Sequence, residues 1–429
     1  MLASLPVSNK VFYYNGVGDN TTYDMRVRIF FRHEVNRARL AEAVSRTLEV
    51  FPNIAIRPVV KSGRIFCEAN RSLPPVLDDD GARLSLGSDD TNGYLFCFMC
   101  SGDSAAISFF HGLADFVGFW SFLRTVLYHY VKLSDAEAEP DAWVRLCAEK
   151  DECPDPYKVF ADGNAKPSYS FTADRVFSLR GKEELYSDGE ARMRNYEVVM
   201  KASDVLSWTK HNDTSFVPLM VSAVSTALTV RYDTAGLPVV AKVPADLRRV
   251  FGIRTDANFS DSLILPLTDD MKPLGIAEKC RILQDAMRAQ LVRENFAPVM
   301  ARKARSVLAH EESGESVVEN ERKIVNAASS SRPVTYSLTY PGRMDVPDSW
   351  KGIIRTFRME PYAPSEGFFM FAGSYDGELV IRSAQRFDSP CFVQEVSRQF
   401  TVLGIANEVL DKGFTSGSKV LTGRFCSYD

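Results

Sequence analysis

A histidine and an aspartate stand four residues apart in FFHGLADFVG, residues 109–118 of a 429-residue chain that holds only five histidines. Imidazole is the side chain best suited to take up and return a proton near neutral pH. The stretch before His111, YLFCFMCSGDSAAISFF, has the composition of an apolar hairpin turning at Ser101-Gly102-Asp103. After it, VGFWSFLRTVLYHYVKL spaces Phe119, Trp120, Leu123, Val126, Leu127 and Tyr130 as one face of a helix. His111 is thus expected at the end of a rigid element, where a reactive group is held and still reachable. Asp115 has two uses open to it: it hydrogen-bonds the ring, or it pairs with a cation elsewhere and fixes the turn that carries the ring. It also stands where a helix opening near Val117 takes its N-cap. The other histidines, His33, His129, His211 and His310, have no comparable surroundings.

Other chemistries find little footing. There is no phosphate loop, no G-x-S-x-G elbow and no H-E-x-x-H. NGVGDN, at 15–20, begins like a dinucleotide fingerprint but lacks the third glycine and precedes a strand. Cys97 and Cys100 form a C-x-x-C within a predicted buried strand, where residues three apart point to opposite faces; core packing is expected there, and no metal. The eight cysteines show no framework spacing and read as reduced thiols of a cytoplasmic protein. A net charge of -4 argues against a nucleic-acid or anionic-membrane partner. No window approaches the ~18 consecutive apolar residues of a membrane span, and the N-terminus does not read as a signal peptide.

The elements around this pair read as α+β. DMRVRIFF predicts a strand, and NRARLAEAVSRTLEVFP a helix capped by Asn36 with Leu40, Ala43, Val44, Leu48 and Phe51 inward. A hairpin turning at Ser62-Gly63 follows. Residues 134 to about 190 are polar and rich in Pro, Asp and Gly, a crossover rather than core. The scheme then recurs: a strand at RNYEVVMKA, a short helix with Ser203 as cap, and a longer helix with Pro218 in its first turn. A strand leading into a loop at LPVVAKVPADLRR, a strand at NFSDSLILPL, a helical region from about Pro273 to about Val318, four more strands and a final helix over 389–410 complete the expectation. Two α+β halves are expected, 1–175 carrying His111 and 176–429 completing the site.

The segment His111 to Asp115 resembles the H-x-x-x-D motif of the acyltransferase superfamily that includes chloramphenicol acetyltransferase, alcohol acetyltransferases and peptide-synthetase condensation domains. The resemblance extends over nearly the whole order of elements and is closest to stand-alone alcohol acetyltransferases. VPADLRRVFGIRTDANFSDS is similar to the segment in which an arginine after a strand precedes an Asn-Phe or Gly-Asn step, and RPVTYSLTYPGR falls at the family's Ser/Asn-containing strand. Three features depart from it. Phe110 stands where many members have a second histidine, Phe116 where most have glycine, and the Asp-Phe-Gly-Trp-Gly motif of the plant subgroup is absent.

The resemblance implies two chloramphenicol-acetyltransferase-like subdomains, each a mixed sheet with flanking helices, and an active site in a tunnel between them. It implies an acyl-CoA co-substrate, no bound cofactor or metal, and a small alcohol or amine acceptor deprotonated by His111 without an acyl-enzyme. Asp115 would pair with Arg248, with Arg249 next in line; Ser337 would serve the oxyanion. Asn258 would support the wall or turn, and Arg302, Lys303 and Arg305 would meet coenzyme A phosphates. Two other readings follow from the same resemblance: an inactive binding module, suggested by Phe116, and an in-trans condensation enzyme fed by an acyl carrier protein.

Overall fold

The computed structural model describes residues 2–15, 24–62, 64–80, 84–134, 137–149, 151–186, 192–313, 334–360, 367–416, 419–420 and 426–427. Two mixed sheets carry the fold. The first has five strands in the order Ile354–Met359, Asp24–Phe31, Ser104–Phe110, Phe96–Ser101, Val76–Asp78. The second has seven: Ser260–Leu267, Val239–Asp246, Tyr336–Thr339, Phe368–Tyr375, Glu378–Gln385, Arg192–Lys201, Asn407–Ser416. A four-stranded sheet packs Ala3–Ser4, Arg64–Ala69, Ile56–Lys61 and Cys426–Ser427 together.

The halves are laced together. Ile354–Met359, late in the chain, pairs antiparallel with Asp24–Phe31 and forms an edge of the first sheet. Charges follow the same seam: Glu360 is buried and takes Arg26 at 2.9 Å and Arg28 at 2.6 Å. Burial alone would raise its carboxyl, and Arg26, Arg28 and Arg382 outweigh that and hold it low.

Phe116–Leu133 carries the layer behind His111. Every residue from Gly118 to Tyr128 is buried, so it reads as an internal helix rather than an amphipathic surface one. Asp115 is its N-cap, and the carboxylate accepts from the Gly118 amide at 3.0 Å. Asn36 caps Arg37–Leu48 as expected, accepting from the Arg39 amide at 2.9 Å. The strand before His111 is buried on both faces along its whole length, so only its end is free to present a side chain. Cys97 and Cys100 are buried in the neighbouring strand, where burial pushes their thiols up to about 12 and about 11.

Several expectations change. The helix predicted over 389–410 stops at Val402; Gly404, at φ +77°, reverses the chain, and Asn407–Ser416 runs as an edge strand. The helical region from Pro273 is two helices, Ile276–Gln290 and Arg293–Ser313, and its expected end at 314–318 lies outside the described residues. Ser203 is not the cap of Ala202–His211: its hydroxyl donates to Asp204 and the cap position is Lys201. The crossover does enter the core, through Tyr157, Phe177 and Leu179. Gly63 and residues 16–20 of NGVGDN lie outside the described residues, while Ser62 holds the expected turn at φ +49°. An unanticipated helix, Val7–Asn15, packs beside the His111 turn.

Candidate active site

His111 follows directly on the end of Ser104–Phe110, and four residues later Asp115 opens Phe116–Leu133. Asp115 does not lie on the imidazole. It is buried, and its two oxygens take Arg248 in a bidentate pair at 2.8 and 2.9 Å. One oxygen also caps the helix through Gly118; the other accepts the Phe259 amide at 2.8 Å. Burial would raise this carboxyl, but Arg248 and the two amides outweigh it and hold it below the usual carboxylate range. Of the two uses open to Asp115, the structure takes the second, and the cap with it.

Arg248 is as fully engaged as its partner. Its five N–H groups meet both Asp115 oxygens, Asp246 at 3.0 Å, and the carbonyls of Thr255 and Ala257 at 2.9 and 2.8 Å. The arginine therefore ties the His111 turn, in the first half, to the 255–259 loop in the second. Arg249 is exposed.

That loop delivers the group that does touch the ring. The His111 Nδ1 lies 2.9 Å from Asn258 Oδ1. The Asn258 amide nitrogen donates to the His111 carbonyl at 2.9 Å and to Asn9 Oδ1 at 3.1 Å. Both are acceptors, so the orientation of the amide follows from its partners. Oδ1 must then face the ring, Nδ1 carries the proton, and Nε2 is left with its lone pair. Asn9, on the unanticipated helix, also accepts the Asn258 backbone N–H at 2.8 Å and donates to the Leu113 carbonyl at 2.8 Å. Phe12, one turn on, stacks on the imidazole with ring centres 4.1 Å apart and planes 14° from parallel.

As a whole residue His111 is half-buried. Burial lowers its affinity for a proton below the ordinary value; Asp115 opposes that shift and Lys242 adds to it. The arrangement yields a neutral imidazole of defined tautomer with one basic nitrogen unspent, which is what a general base requires.

The remaining predicted residues are placed as follows. Ser337 lies on Tyr336–Thr339, level with Lys242 on the parallel strand beside it. Lys303 pairs with Asp261 at 3.1 Å, which raises its affinity for a proton against the cost of burial. Arg305 donates to the Ala161 carbonyl at 3.1 Å and to that of Gly163. Arg302 is exposed. Phe116 turns along its own helix and stacks on Trp120, 5.3 Å between centres. Among the described residues no group of three or more His, Cys, Asp or Glu side chains could hold a metal ion, and no single helix is long and apolar enough to cross a membrane.

Sequence reasoning missed Asn9, Phe12 and Lys242, and it gave Asn258 only a supporting part. Asn258 was within reach, because the Asn-Phe step it belongs to had already been singled out. Asn9 and Phe12 carry no signal of their own, because their partners Leu113, Asn258 and His111 are far from them in sequence.

No family model and no curated protein matches the chain. Solved structures do. The epimerization domain from the third module of tyrocidine synthetase B matches with a TM-score of 0.61 at 12% identity, over 94% of this chain and 96% of that one. TRI101 of F. sporotrichioides, complexed with coenzyme A and T-2, matches at 0.59 and 10%, over 95% and 99%. A starter condensation domain mutant of rhizomide synthetase RzmA, in complex with C8-CoA and Leu-SNAC, matches at 0.57 and 12%, over 94% and 93%. Coverage of nearly the full length on both sides, at 10% to 12% identity, shows the fold. The chain has the two-lobed fold of condensation domains and chloramphenicol-acetyltransferase-like proteins, with mixed sheets and flanking helices in both lobes.

Proposed function

We propose that the protein is a cytoplasmic acyltransferase that moves an acyl group from an acyl-CoA thioester to the hydroxyl or amine of a small acceptor. The observation that carries this reading is the imidazole of His111, with Nδ1 spent on Asn258 and Nε2 without a partner among the described residues. In this reading Nε2 takes the proton of the acceptor as its oxygen or nitrogen attacks the thioester carbonyl. A tetrahedral oxyanion forms, with the Ser337 hydroxyl as its donor. The intermediate collapses by breaking the C–S bond, and His111 returns the proton to the departing thiolate. No acyl-enzyme is needed, because positioning and proton transfer supply the rate.

Asp115 and Arg248 are positioning residues here: they hold the turn and the loop in register and touch no reacting atom. Coenzyme A phosphates are assigned to the helix Arg293–Ser313. Arg302 is exposed and has no partner among the described residues, while Lys303 and Arg305 already have partners within the protein. A carrier-bound donor is the second reading. It is favoured by the likeness to a condensation domain, at the level of the fold.

Acetyl-CoA and C8-CoA with a panel of alcohols and amines, with thiol release followed colorimetrically, test the proposal. Acceptor-dependent release that vanishes in His111→Ala is the expected result. Turnover only with carrier-bound acyl groups selects the second reading. Undiminished turnover in His111→Ala refutes both.

A further inference from the structure

Asn258 stands on a stretch, residues 252–259, that forms neither helix nor strand, so its place is set by bonds made to that stretch from outside. Arg248, Asn9 and Asp115 supply part of them. The others come from the crossover. Asp151 Oδ2 accepts the Asp256 amide at 2.9 Å and the Thr255 hydroxyl at 3.1 Å. Thr255 Oγ1 in turn accepts the Ala257 amide at 3.1 Å. Arg145 takes both oxygens of the Asp256 side chain in a bidentate pair, one of them at 2.6 Å. Beyond Asn258, the Tyr157 hydroxyl donates to the Ser260 carbonyl at 2.9 Å. The crossover therefore grips the chain on both sides of the residue that holds the His111 ring.

The grip is anchored at its other end. The Arg145 amide donates to Thr125 Oγ1 at 3.0 Å, and the Ser121 hydroxyl donates to the Trp143 carbonyl. Both Ser121 and Thr125 lie on Phe116–Leu133, the helix that Asp115 opens. The Arg145 guanidinium also covers the Phe51 ring, 4.9 Å from its centre. The described residues of 137–157 form no helix or strand of their own, so these side-chain contacts fix the grip.

We infer that Arg145, Asp151 and Tyr157 are positioning residues of the general base: from the crossover they set residues 255–260 so that Asn258 Oδ1 meets His111 Nδ1. The inference rests on the general-base reading for its effect on rate, and on geometry alone for its effect on the ring. A loosened stretch lets Asn258 drift from Nδ1, the proton then exchanges between the two ring nitrogens, and the lone pair at Nε2 is no longer assured.

Nitrogen NMR of protein carrying 15N-histidine, at pH 8 where the ring is neutral, reads the tautomer without turnover; His111→Ala identifies the signal. Kinetics with acetyl-CoA run in parallel on Arg145→Met, Asp151→Asn, Tyr157→Phe and a control, Arg254→Met, whose exposed side chain pairs with Glu152 at 3.9 Å across the same two segments. The wild-type ring should carry its proton on Nδ1. Arg145→Met and Asp151→Asn should give a mixture of tautomers and lower kcat at least about fivefold, with KM within about twofold. Tyr157→Phe, which removes one oxygen, should move both readouts the same way and keeps the test open if the other two variants unfold. Arg254→Met should change neither. An unaltered tautomer in the folded variants overturns the proposal, as does a wild-type proton on Nε2. A rise in KM at constant kcat places the crossover on the substrate and overturns it too, and so does an equal loss in Arg254→Met. If the wild type turns nothing over, a tautomer that shifts in the variants sustains the brace while the general-base reading fails.

Discussion

Replacing Asp115 by alanine removes four accepted hydrogen bonds at one buried point: two from Arg248 and one each from the amides of Gly118 and Phe259. Breaking a buried ion pair from one side costs about 3–5 kcal/mol, because the partner charge stays buried. Losing the N-cap adds about 1 kcal/mol. The sum, about 4–6 kcal/mol, approaches the whole stability of a marginal domain. Asp115→Asn keeps a single carbonyl for the cap and should lose about half as much. Urea denaturation followed by tryptophan fluorescence at pH 7 measures both. A double-mutant cycle with Arg248→Met should recover a large part of the loss, since the uncompensated guanidinium goes with it. The pH dependence has a defined sign. Asp115 titrates below its unfolded value, so its contribution is complete above about pH 4 and disappears as pH falls through the folded value. The gap between wild type and Asp115→Ala should be flat from pH 6 to 8 and close in acid. An Asp115→Ala protein as stable as wild type, or two single losses that add without coupling, would refute the reasoning.

Three further expectations follow from the site. Asn258→Ala removes the acceptor that fixes the ring's tautomer; one buried hydrogen bond of about 1–3 kcal/mol corresponds to a fall in kcat of about 5- to 160-fold, and a change under twofold would deny Asn258 its part. In an ordinary helix Gly→Ala gains about 1 kcal/mol, but a Cβ on Gly118 would lie 2.4 Å from the Asp256 carbonyl oxygen, so Gly118→Ala should lower both the denaturation midpoint and kcat. Burial lowers the proton affinity of His111 and Lys242 lowers it further, so the acid limb of kcat/KM should fall below pH 6.5 and move upward in Lys242→Met; a limb above pH 6.5 in the wild type would contradict the site's electrostatics.

The sequence alone determined what depends on neighbours along the chain. Asn36 and Asp115 announced their helices because a cap lies within one turn of the amides it satisfies. The two apolar strands before His111 placed it at the end of a buried element, and Ser62-Gly63 announced a turn that Ser62 holds. Arg248 and Asn258 could be singled out, but only through resemblance, since 133 residues separate Arg248 from Asp115 and 147 separate Asn258 from His111. The edge strand Asn407–Ser416 was read as helix because the apolar spacing of the preceding helix runs on past Gly404, and the pairing with Arg192–Lys201 that overrides it is long-range. Tertiary structure decided the site. It sent Asp115 to Arg248 rather than to the ring, gave the ring to Asn258, and brought Asn9 and Phe12 from a helix that nothing local had marked. It also set Lys242 level with Ser337 on the face of the sheet away from the helices. Hydrogen-bond partners of buried polar groups are chosen by which segments meet, and that meeting is settled by the packing of two sheets, not by spacing along one strand.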